Sequence, residues 1–174
     1  FTGSIDINNS HFVENKAVRA NDFGGDAGVM SLTIAQVDIH ITDCSFVRNE
    51  AGFSGGALVI RDSSPKVKNC NFIKNTAIVE GGAIRNLARN SDVSNPEFIQ
   101  CVFLENTSQN SGGAIVNNNA NPATCAPMIR NCTFLDNEAP AGRAIQNYDT
   151  DLSIYNSIVW DIFDFSGIIN SSNS

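Results

Sequence analysis

The residues able to do chemistry in this chain are few and scattered. Asp149-Thr150-Asp151 is the best local carboxylate pair. Residues two apart in an extended segment face one way, and paired carboxylates are what glycoside hydrolysis requires. A solvated loop explains the pair equally well. Asp161 and Asp164 sit in an apolar tail and carry less information still. Asn21-Asp22-Phe23-Gly24-Gly25-Asp26 is acidic and glycine-rich, as calcium loops are, but lacks the spacing of an EF-hand or a calcium-binding nonapeptide repeat. His11 and His40 are isolated, and no Ser, His and Asp frame for acyl transfer stands at a workable spacing. The five cysteines form no Cys-x-x-Cys, so a zinc ligand set is not expected. The reading therefore assigns no catalytic, metal-binding or cofactor-binding residue and expects no cofactor.

The regular residues say more. A Phe, two residues and an Asn recur five times: Phe12/Asn15, Phe46/Asn49, Phe72/Asn75, Phe103/Asn106 and Phe134/Asn137. Each of the last four is followed by a Gly-Gly-Ala-Ile-like phrase. These are Gly55-Gly56-Ala57-Leu58, Gly81-Gly82-Ala83-Ile84, Gly112-Gly113-Ala114-Ile115 and Gly142-Arg143-Ala144-Ile145. The first unit has a looser version, Gly24 to Val29. The Phe-to-Phe steps are 34, 26, 31 and 31 residues. Insertions gather between the Ala-Ile phrase and the next Cys, as loops do on one side of a solenoid. A single unit cannot bury its apolar face, whereas stacked units share a core.

The local period is that of strands. Cys70 and Phe72 are two apart and share a face, and a bend at Asn69 suits a residue that tolerates left-handed backbone. The chain is expected to be all-β, a right-handed parallel β-helix of about five to six coils, each of three short strands, cut from a longer β-helix. Units fall near residues 5–38, 39–65, 66–96, 97–127 and 128–151, with a decayed unit at 152–160; residues 161–174 read as a tail or linker. The Leu-x-x-Leu-x-Leu frame of the rival leucine-rich repeat is missing.

Stacking turns these letters into columns. The five Phe form an aromatic column and the five Asn an amide ladder, which accounts for part of an Asn content of 23 in 174 residues. Cys44, Cys70, Cys101 and Cys132 each lie two residues before a repeat Phe, with Ser10 and Ser157 in that place at the ends. They stack either as free thiols or at a spacing a disulfide would accept. Cys125 is off register and could bridge to Cys101 or Cys132. The doublet glycines serve a tight bend or close packing against the next coil. Arg143 then requires a different bend or an outward side chain. Of four Asn-x-Ser/Thr sequons, Asn106 and Asn131 are expected to be inaccessible, leaving Asn8 and Asn170 as glycosylation candidates.

At 174 residues and a net charge of −7, the chain reads as one domain without a basic cluster, so nucleic acid is not an expected partner. No apolar run is long enough to insert this segment in a membrane. The paired phrases Phe-x-x-Asn and Gly-Gly-Ala-Ile resemble the repeats of chlamydial polymorphic outer membrane proteins. They are also similar to those of adhesin-like β-helical bacterial surface proteins. The resemblance spans about Ser4 to Trp160. It implies an extracellular, cell-surface location and a non-catalytic role as structural rod or adhesin passenger. The partner would be a protein or glycan surface ligand, or another copy stacked end to end as a stalk or filament. Contact would fall on the insertion side, Asn86–Pro96 and Asn117–Pro127. The rival function is a polysaccharide lyase or glycoside hydrolase, enzymes that share the fold.

Overall fold

In a computed structural model of the chain, residues 3–19, 25–33, 37–89, 92–120 and 123–161 are described, together with the backbone of 168–171. No helix is assigned among them. The first coil carries β1 (Ser4–Asn8), β2 (His11–Val13), β3 (Lys16–Ala17) and β4 (Met30–Thr33). The second repeats the order as β5 (Asp38–Thr42), β6 (Ser45–Val47), β7 (Glu50–Ala51) and β8 (Leu58–Arg61). The third has β9 (Lys66–Lys68), β10 (Asn71–Ile73), β11 (Thr76–Ala77) and β12 (Ile84–Ala88). The fourth has β13 (Glu97–Ile99), β14 (Val102–Leu104), β15 (Thr107–Ser108) and β16 (Ile115–Asn119). The fifth keeps β17 (Met128–Arg130), β18 (Thr133–Leu135) and β19 (Ile145–Tyr148). The sixth has β20 (Ser153–Tyr155), β21 (Ile158–Val159) and β22 (Ile168–Ser171).

Equivalent strands pair in parallel from coil to coil, giving three six-stranded sheets and one of four strands. The architecture is a right-handed parallel β-helix, the hand that parallel crossovers adopt almost without exception. The first four coils thus hold four strands each and not three. The extra one is a two-residue strand after the ladder Asn, which polar residues such as Lys16, Glu50, Thr76 and Thr107 conceal from a periodicity argument. Part of what reads as a linker also joins the fold, since β22 pairs with β19.

The corners explain the bends. Asn9, Asp43, Asn69, Gln100, Asn131 and Asn156 turn the first sheet into the second with φ of 46–54°. A second non-glycine corner precedes each ladder Asn, at Glu14, Arg48, Lys74, Glu105 and Asp136. These side chains are charged and extend into water, where they cost the core nothing.

The glycine doublet divides its labour. Gly55, Gly81, Gly112 and Gly142 have positive φ, and Ala27 takes that conformation in the first coil. The second glycine is a steric requirement. A Cβ on Gly82 would lie 2.1 Å from the carbonyl oxygen of Gly113, and one on Gly113 2.1 Å from that of Arg143. Arg143 follows the same bend with its side chain exposed.

Inside, Phe46, Phe72, Phe103 and Phe134 are fully buried. Rings from Phe12 to Phe134 stack with centroids 4.6–4.9 Å apart and planes within 13°. Burial of each contributes about 2 kcal/mol. Phe98 meets Phe103 edge-on at 6.0 Å.

Candidate functional site

The Asn ladder is directional. Each ladder Asn donates its backbone N–H and one amide hydrogen to the side-chain oxygen of the Asn in the next coil. Asn75 does so to Asn106 at 3.0 Å through both groups, and Asn106 to Asn137 at 3.0 and 2.9 Å. The second amide hydrogen goes back to the Phe carbonyl of the preceding coil, as from Asn106 to Phe72 at 2.9 Å. Asn49, Asn75 and Asn106 are wholly buried with their polar groups paired in this way. At the C-terminal end Asp161 takes the rung: Asn137 donates its backbone N–H to Oδ1 at 3.1 Å and its amide to Oδ2 at 2.8 Å. A carboxylate only accepts, so it ends a row of donors. Burial pushes the Asp161 carboxyl above its ordinary range, against the pull of the Asn137 hydrogen bonds.

A second amide ladder runs through the sheet that follows the glycines. Asn86 donates to Asn117 at 3.1 Å and Asn117 to Asn147 at 2.8 Å, all three buried. Their shared place, two residues after Ile84, Ile115 and Ile145, was open to reading in the sequence. Asn170 lies opposite Asn147 in register, in line with this ladder. The other glycosylation candidate, Asn8, is exposed on β1. Asn106 is buried, but Asn131 is exposed, because its positive φ puts the bend and its side chain on the outside.

All five cysteines are buried free thiols. Cys44, Cys70, Cys101 and Cys132 form the column, and each donates its S–H to the carbonyl two residues earlier at 3.2–3.4 Å. Hydrogen bonding to Cys132 and Cys70, with burial, holds the Cys101 thiol well above its ordinary value. Cys125 makes no bridge to Cys101 or Cys132; it packs under the second ladder, where Asn86 donates to its Sγ at 3.3 Å. Burial pushes its pKa up to about 12.

The scattered candidates remain apart. Asp149 has φ 51°, so Asp149-Thr150-Asp151 is a bend and its two carboxylates lose the common face an extended segment would give them. His11 contacts the Ser45 hydroxyl on the surface, and His40 pairs with Asp6 at 3.0 Å. Of the acidic loop, Asn21–Gly24 lie outside the described residues, and Asp26 pairs with Arg61 at 3.1 Å. No group of metal-ligating side chains occurs among the described residues. The insertion side is half core: Asn86, Ser94, Asn117 and Cys125 are buried, and Val93 bridges Thr124 of the next coil.

Surface concavity lies elsewhere. An open cleft of about 590 Å³ runs over the two-residue strands of the later coils, between Thr107, Gln109, Glu138, Pro140 and Arg143. A second of about 260 Å³ adjoins it and is lined by Asp136, Glu138, Arg143, Trp160 and Asp161.

These features define a repeat protein of the parallel β-helix class, held by inward ladders and varied outside. The chain carries the Chlamydia polymorphic membrane protein repeat: the model of that family matches residues 100–118, from the Cys101 turn to the start of the second ladder. No curated protein and no solved structure matches the chain.

Proposed function

We propose that this chain is a non-catalytic, extracellular β-helical module, a rigid passenger segment of a cell-surface protein that presents its outer face for adhesion. The observation that carries this is the division of residues. What recurs from coil to coil is buried and consumed by ladders, while the outward positions vary. The match to a repeat of polymorphic membrane proteins supports a place at a cell surface. The rod version is favoured over self-stacking into a filament. Stacking copies in ladder register would set the carboxylate of Asp161 against the side-chain oxygen of Asn15, acceptor against acceptor.

The test is saturable binding of labelled chain to a panel of mammalian and microbial cells, beside product analysis of acidic and neutral polysaccharides incubated with it. Binding without cleavage is the expected result. Release of reducing ends or unsaturated sugars would instead establish the lyase or hydrolase reading.

A further inference from the structure

Three positions in the last two coils break their columns, and all three line the same cleft. Arg143 stands where Gly56, Gly82 and Gly113 stand in earlier coils. Trp160 ends an outward aliphatic column of Val13, Val47, Ile73, Leu104 and Leu135. Asp161 replaces the ladder Asn. Arg143, Trp160 and Asp161 meet Glu138 at the smaller cleft, and Glu138 and Arg143 also wall the larger one.

We propose that this cleft binds a neutral oligosaccharide, with Trp160 as the platform for a sugar ring. Trp160 is 61% exposed, a large apolar surface left in water. Arg143 is exposed and forms no ion pair among the described residues, in a chain where Lys16, Arg48, Lys66 and Lys74 all do. A pyranose offers what these groups lack: an apolar ring face for Trp160 and hydroxyls that accept from Arg143 and donate to Glu138. The larger cleft lies in the range of about 300–1,000 Å³ usual for ligand sites.

Other polymers fit less well. Backbone N–H groups along the cleft floor are spent between coils: Thr107 to Asn75, Ser108 to Glu138 and Glu138 to Asn106, at 2.9–3.0 Å. An extended peptide therefore finds no strand edge to pair with. Asp136 and Glu138, with the net charge of −7, oppose an anionic chain.

Trp160 is the only tryptophan of the sequence, so its fluorescence reports on this cleft alone. The full chain is titrated with cello-, malto-, xylo-, manno- and chito-hexaose, with polygalacturonate as the acidic comparator. A saturable emission change is expected with at least one neutral hexaose. By calorimetry, Arg143→Gly, which restores the residue of the other coils, weakens that binding about tenfold or more, a loss of about 1.4 kcal/mol. Trp160→Ala abolishes binding, whereas Trp160→Phe and the remote Lys68→Ala retain it. No response to any neutral hexaose at millimolar concentration overturns the proposal, as does unchanged binding by both Arg143→Gly and Trp160→Ala. The cleft rests on the surface-module reading, and the two fail separately. Cleavage lost in Arg143→Gly would keep the cleft and overturn the non-catalytic role, while absent binding would remove the cleft and leave cell attachment to its own test.

Discussion

Asn137 gives both its backbone N–H and its side-chain amide to Asp161, one to each carboxylate oxygen. Removing the acceptor strands two buried donors. Asp161→Ala is therefore expected to lower stability by about 2 kcal/mol, measured by urea unfolding. The carboxyl is raised above its model value of 3.8, so folding favours its protonated form. Its contribution is fully present below pH 3.8 and is lost as pH rises through the raised value. Asp161→Asn should erase this pH dependence and stand within about 1 kcal/mol of the native chain at pH 7, since an amide oxygen can take both donors as in the other coils.

An interior rung is worth more than the last one. Asn106 accepts two hydrogen bonds from Asn75 and donates to Phe72 and Asn137. Asn106→Ala leaves partners unpaired on both sides, at a cost of about 3 kcal/mol or more. Thermal unfolding followed by circular dichroism checks this, and a loss under 1 kcal/mol would show that water replaces the rung.

Glycine at the second doublet position is a packing requirement, so its replacement should depend on the coil. In Gly82→Ala the new Cβ would sit 2.1 Å from the Gly113 carbonyl oxygen, a backbone atom. The coils must separate there, and a loss of about 3 kcal/mol or outright misfolding is expected. Arg143→Gly should change stability by no more than about 1 kcal/mol. Equal losses in the two variants would contradict the account.

The thiols should be silent in the folded protein. All five are at most 2% exposed, and burial raises the pKa of Cys125 to about 12 and that of Cys44 above its ordinary value. Ellman's reagent at pH 8 is expected to titrate none of them quickly and all five once urea unfolds the chain. Fast native labelling of any one would mark a coil that opens locally.

The sequence showed most clearly what repeats as a single letter. Phe at one spacing gave the aromatic stack, and Asn three residues later gave the ladder. The second ladder was as regular, but Asn86 and Asn117 stand at the start of the insertions and were read with the exposed loops. Asp161 was hidden twice over: it is Asp and not Asn, and it follows Val159 by two residues where other rungs follow Phe by three. The two-residue strands escaped because Thr, Glu and Lys carry no strand period over so short a length. The ligand cleft left no repeated mark, since it is made of the residues that break the pattern.

The parallel pairing of coils has a mechanical side. The hydrogen bonds that join neighbouring coils run along the axis of the rod, so a pull on its two ends loads them one tier at a time, as in opening a zipper. Each coil touches only its neighbours, and yielding should proceed in steps. Coils of 26 to 34 residues would each release roughly 90–120 Å of chain. Held between a cell and a surface, such a module would lengthen in increments under load and take up slack by rewinding.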